Sequence, residues 1–102
     1  MKNLYTSEQL EKIRGQTAMY QCACPAQVCK AIEQTRYLYN YQQDCLSEKD
    51  NQLEVHKVIS VAAKQAHEIF ENCLTQVLEI EGWDSESLDM PSHLIEKILN
   101  KY

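Results

Sequence analysis

One stretch of the sequence limits what the chain can fold into more than any other. Val55, Ile59, Ala62, Ala66, Ile69, Cys73, Val77 and Ile80 follow one another at steps of 4, 3, 4, 3, 4, 4 and 3 residues. A helix with 3.6 residues per turn returns a side chain to the same face at every third or fourth position, so all eight share one face. Val58, Phe70 and Leu74 widen the stripe into a core-facing surface, and Gly82 stands where a left-handed cap would end the helix. A helix over 51–81 is ~45 Å long at about 1.5 Å per residue. A compact domain of ~100 residues has a radius of gyration of only ~13 Å. The chain has 102 residues in all, which leaves little to cover such a rod. The expectation is an elongated hairpin, or a helix that a second copy helps to cover.

The remaining segments supply shorter helices. Thr6 or Ser7 offers a hydroxyl cap, with Gln9 three residues after Thr6, for a helix over 6–20. Pro25 disfavours helical backbone at Cys24 and suits the first turn of a second helix over 25–46. Its stripe runs Val28, Ile32, Thr35, Tyr39, Gln42, Leu46. Ser47 to Asn51 reads as the connection to the third helix. Trp83, Leu88 and Met90 anchor a loop before a final helix over 92–100. Only two Gly and two Pro occur in the whole chain, too few for the turns of a sandwich or barrel. The predicted fold is all-α and a single domain over 1–102. It is an antiparallel hairpin of two long helices with short flanking helices, making a three- or four-helix bundle closed alone or by dimerisation.

Charge narrows the partners. The formal net charge of −5 argues against tracking a phosphate backbone, which needs clustered Lys and Arg. Residues 65–96 contain no Lys or Arg but eight acidic side chains, from Glu68 to Glu96. A basic partner surface docking on Glu79, Glu81, Asp84 and Glu86, with Trp83 as an aromatic anchor, is one reading. A solvated helix face with Trp83 tucked back onto the bundle is the other. Tyr37, Tyr39 and Tyr41 cannot share one helical face, so one or two of them, Tyr37 and Tyr41 above all, are expected in an interface or in solvent. The polar, charged start of the sequence lacks the apolar run of a signal peptide, and no window reaches 18 apolar residues. The chain is therefore expected to be cytoplasmic and off the membrane.

Five cysteines, Cys22, Cys24, Cys29, Cys45 and Cys73, make a poor disulfide framework in a reducing compartment. Cys22, Cys24 and Cys29 cluster at the start of the second helix. There the unpaired N–H groups and the positive end of the dipole favour thiolate. Three thiolates with a fourth ligand would suit Zn²⁺, Cu(I) or an iron–sulfur cluster, although the C-x-C-P-x-x-x-C spacing is not a standard knuckle. A C-x-C disulfide resolved by Cys29 is the redox alternative, and plain packing is the bland one. Among the histidines, His67 with Glu71 reads most simply as a surface hydrogen bond, and His93 as a neighbour of a helix cap. Di-iron Glu-x-x-His pairs are absent, as are phosphate-cradling, G-x-S-x-G and H-E-x-x-H motifs. The leading expectation is a non-catalytic helical interaction or regulatory small subunit that binds a protein partner, as a homodimer or within a larger assembly. A thiolate metal protein is the alternative and a thiol redox protein the third.

Overall fold

A computed structural model of the chain describes residues 1–18, 24–47 and 53–99. Among them are four α-helices and no strand: α1 (Ser7–Thr17), α2 (Cys24–Ser47), α3 (Leu53–Glu81) and α4 (Ser92–Leu99). Cys22, the end of the expected first helix and the connection after Ser47 lie outside the described residues.

Local chemistry sets the helix ends. Thr6 is the N-cap of α1: its hydroxyl accepts from the Gln9 N–H at 3.1 Å, while the Gln9 amide oxygen accepts from the Thr6 N–H at 2.8 Å. This reciprocal pair satisfies two N–H groups that a helix start otherwise leaves open. At the other end of the long helix, Gly82 adopts φ 83°. Its N–H reaches Glu79 O at 3.1 Å, and the Trp83 N–H reaches Leu78 O at 2.9 Å. That is a Schellman cap, and only glycine enters its left-handed backbone without strain.

The helices α2 and α3 run antiparallel along each other. Arg36 meets His67, Gln43 meets Ser60 and Gln42 meets His56, so one helix advances as the other recedes. The apolar core lies at one end of this pair. It joins Leu10 and Ile13 of α1, Cys29 and Ile32 of α2, Leu74 and Leu78 of α3, and Trp83, Leu88, Met90 and Leu94 beyond it. Toward the other end, the buried residues of α2 and α3 are Gln42, Ser60 and Ala63, two of them polar. The chain is correspondingly long and thin, 58 × 23 × 18 Å with a radius of gyration of 16.7 Å, against ~13 Å for a compact chain of this length.

The apolar stripe of α3 does not face this core. The buried face of α3 is Ser60, Ala63, His67, Glu71, Leu74 and Leu78. Leu74 alone belongs to the stripe expected to be inside. Ile59, Ala66, Cys73 and Val77 are half-buried at its edge, and Val55, Val58, Ala62, Ile69, Phe70 and Ile80 are exposed. Helical period alone cannot say which of two adjacent stripes meets α2. Here the choice follows a set of buried polar contacts.

Candidate functional site

Those contacts centre on Glu71. Its side chain is only 2 % exposed, and that of His67, one turn earlier, 1 %. The pair is interior, which corrects the surface hydrogen bond expected from sequence. Glu71 Oε2 accepts from the N–H groups of Leu4 and Tyr5 at 2.8 and 3.2 Å and from Arg36 Nη2 at 3.0 Å. Arg36 also donates from Nη2 to Tyr5 O at 2.5 Å and from Nε to His67 Nε2 at 2.9 Å. The Thr75 hydroxyl donates to Glu71 O at 3.2 Å, which leaves the Tyr5 hydroxyl to donate to Thr75 at 2.6 Å.

The network ties three segments together: residues 4–5, α2 and α3. Because Arg36 uses the Nε2 lone pair, His67 carries its proton on Nδ1, 3.5 Å from Glu71 Oε1. Burial lowers the His67 pKa below the ordinary 6.5, opposed by Glu71 and reinforced by Arg36. The imidazole is thus neutral at pH 7 and serves as an acceptor. Removing one member of the Arg36–Glu71 pair would leave a buried charge unopposed, at a cost of ~3–5 kcal/mol. Arg36, Tyr5 and Thr75 escaped the sequence reading. Their one signal is the place of Arg36, four residues after inward-facing Ile32 and therefore on the same face of α2. A small cavity of about 210 Å³ opens beside the network between Met1, Lys2, Lys64 and Glu68.

The thiols are distributed differently. Cys24 is exposed at the first position of α2, and Cys29 is fully buried in the core. Burial, reinforced by Glu33, pushes the Cys29 thiol up to about 12, so it is protonated at neutral pH. Cys45 and Cys73 are half-buried. Among the described residues no three His, Cys, Asp or Glu side chains converge as a set able to hold a metal ion.

The acidic end is divided between surface and interior. Glu79, Asp84 and Glu86 are exposed, and Glu81 is half-exposed. Trp83 takes the second of its two possible placements: the ring is buried, and its Nε1 donates to Glu81 Oε1 at 2.8 Å. Asp84 accepts from the N–H groups of Glu86 and Ser87 at 2.9 and 2.7 Å. These bonds hold its carboxyl below the ordinary range. On α2, Tyr37 and Tyr41 are 73 % and 55 % exposed and stack on each other with ring centroids 6.4 Å apart.

What stands in solvent is thus an apolar seam along α3, rimmed at its C-terminal end by carboxylates. Val58, Ile69 and Ile80 are 70, 65 and 85 % exposed. Scattered apolar residues are ordinary on any surface; here exposed apolar side chains share one face of α3 from Val55 to Ile80, with half-buried Ile59, Ala66, Cys73 and Val77 among them. No helix among the described residues is long and apolar enough to cross a membrane, so a bilayer-spanning role for α3 does not account for the stripe. No family model, no curated protein and no solved structure matches the chain.

Proposed function

We propose that this chain is a non-catalytic helical interaction protein, a small subunit or regulator that docks a protein partner along α3. The observation that carries the reading is the exposed apolar seam from Val55 to Ile80. A dry apolar centre with a charged rim is the usual anatomy of a protein interface, and Glu79, Asp84 and Glu86 supply such a rim at one end. Tyr37 and Tyr41 form a second, smaller aromatic patch on α2. Of the thiols, buried Cys29 enters this reading as a packing group. Their metal-binding alternative is tested separately, by the metal content of protein purified without chelators.

The docking reading is tested with Val58→Glu and Ile80→Glu combined. Both side chains lie in water, so the double variant is expected to keep its helical circular dichroism and to lose less than ~1 kcal/mol of stability. It should also lose the species that cross-links to the wild-type chain in the cells that make it. An unchanged cross-linked species would overturn the reading. So would unfolding of the variant, because the stripe would then be structural.

A further inference from the structure

Resting on that reading, we propose that the occupant of the seam is a second copy of this chain, paired antiparallel about a two-fold axis that crosses α3 between His67 and Glu68. The seam has the 3.5-residue repeat of a coiled coil: Val55, Ile59, Ala62, Ala66, Ile69, Cys73, Gln76 and Ile80 at steps of 4, 3, 4, 3, 4, 3 and 4. Gln76 is its one polar member.

The order of side-chain sizes is suited to reversal. About the proposed axis, Ala66 lies across from the partner's Ile69, Ala62 from the partner's Cys73, and Val55 from the partner's Ile80. Ile59 falls opposite the partner's Gln76, the one mixed layer. In the two central layers the smallest side chain faces a larger one, which keeps the spacing between the helices even. A parallel, in-register pair would set Ala66 on Ala66 beside Ile69 on Ile69, a pinch next to a bulge.

Antiparallel pairing also opposes the two helix dipoles, and it keeps Glu79 and Glu81 of the two copies apart, whereas parallel pairing would bring them to the same end. The architecture also gains, because each copy's cored end lies against the other's thin end of two helices.

Area is sufficient only if α2 takes part. A 29-residue α3 offers a strip of ~44 by ~10 Å, roughly half of the ~800 Å² per partner in a stable interface. Exposed Leu38, whose helical phase puts it on the flank of α2 bordering the seam, begins the rest.

Sedimentation of the full chain tests the pairing, and a cysteine cross-link tests its direction. Wild-type protein is expected to sediment as twice the 11.9 kDa chain, and Ile69→Glu as a folded monomer with dimerisation weakened ~100-fold or more. With Cys22, Cys24 and Cys45 changed to Ser, Ala62→Cys should on mild oxidation give a cross-link from Cys73 to the introduced thiol. The same background without Ala62→Cys should give none. Antiparallel pairing separates the two Cys73 residues by about 11 residues, ~16 Å, beyond the ~7 Å Cα limit for a disulfide. A Cys73–Cys73 cross-link in that background would overturn the antiparallel arrangement. A dimer indifferent to Ile69→Glu would overturn the seam as its interface. A wild-type monomer at every concentration would overturn self-pairing while leaving docking of a different protein intact.

Discussion

His67 shows how an unremarkable residue in sequence becomes a determinant of folding once it is inside. Its imidazole is held neutral, as an acceptor for Arg36, and its pKa lies below 6.5 because burial disfavours the charged ring. The unfolded chain therefore binds a proton at a pH where the folded chain does not. Stability is complete above about pH 6.5, falls as the pH drops toward the folded value, and stops falling from this cause below it. The exposed carboxylates of Asp84 and Asp89, both lowered from 3.8 by hydrogen bonds, act in a separate and more acidic window. We predict that urea midpoints fall as the pH drops below about 6.5 in wild-type protein and that His67→Gln flattens this limb. A limb of equal slope in the variant would show that another group titrates there.

At the scale of elements, the loop after α3 depends on α1. Gln16 brackets it: its Nε2 donates to Leu88 O at 2.7 Å, and its Oε1 accepts from the Met90 N–H at 2.6 Å. Between those contacts Leu88 sits at φ 59°, a left-handed conformation that costs a non-glycine residue about 1 kcal/mol or more. Burial of its side chain, about 1.5–3 kcal/mol, offsets the strain. Lys12 reaches the same loop at Ser87 O and Asp89, but from solvent. We predict that Gln16→Ala costs ~1–3 kcal/mol, because it strands two backbone groups, and that Lys12→Ala costs less than ~1. Equal losses in urea unfolding would mean that the bracket is not what holds the loop. The α1 cap was legible, since Thr6 and Gln9 stand at the required spacing. The Schellman cap was legible from Gly82 for the same reason: both depend on a few consecutive residues.

The whole molecule is an asymmetric rod, with an apolar core at one end and two helices joined mainly through polar contacts at the other. Such a rod gains stability from anything that binds only its folded form. If the seam of α3 pairs with a second copy, the melting temperature must rise with protein concentration, by mass action. We predict a higher Tm at 200 than at 2 μM chain, roughly as expected for a hundredfold change in a dimerising species. Ile69→Glu should show no such dependence. A concentration-independent wild-type Tm would count against self-pairing and leave the pH limb of His67 unaffected.

Much of the helix content was readable from residues alone, because helix period, caps and breakers act over three or four positions. The stripe on α3, the scarcity of Gly and Pro, and the caps at Thr6 and Gly82 each specify an all-helical chain with one long rod. Which side of that rod turns inward was not readable. The apolar stripe and the stripe carrying Ser60, His67, Glu71 and Leu74 lie side by side on the same helix, and hydrophobicity by itself favours the former. Arg36, 35 residues away from Glu71, and the N–H groups of Leu4 and Tyr5 decide for the latter by satisfying a carboxylate that only the folded chain assembles. Periodicity is a local property of the sequence. The partner of a buried charge is not, and only the tertiary structure names it.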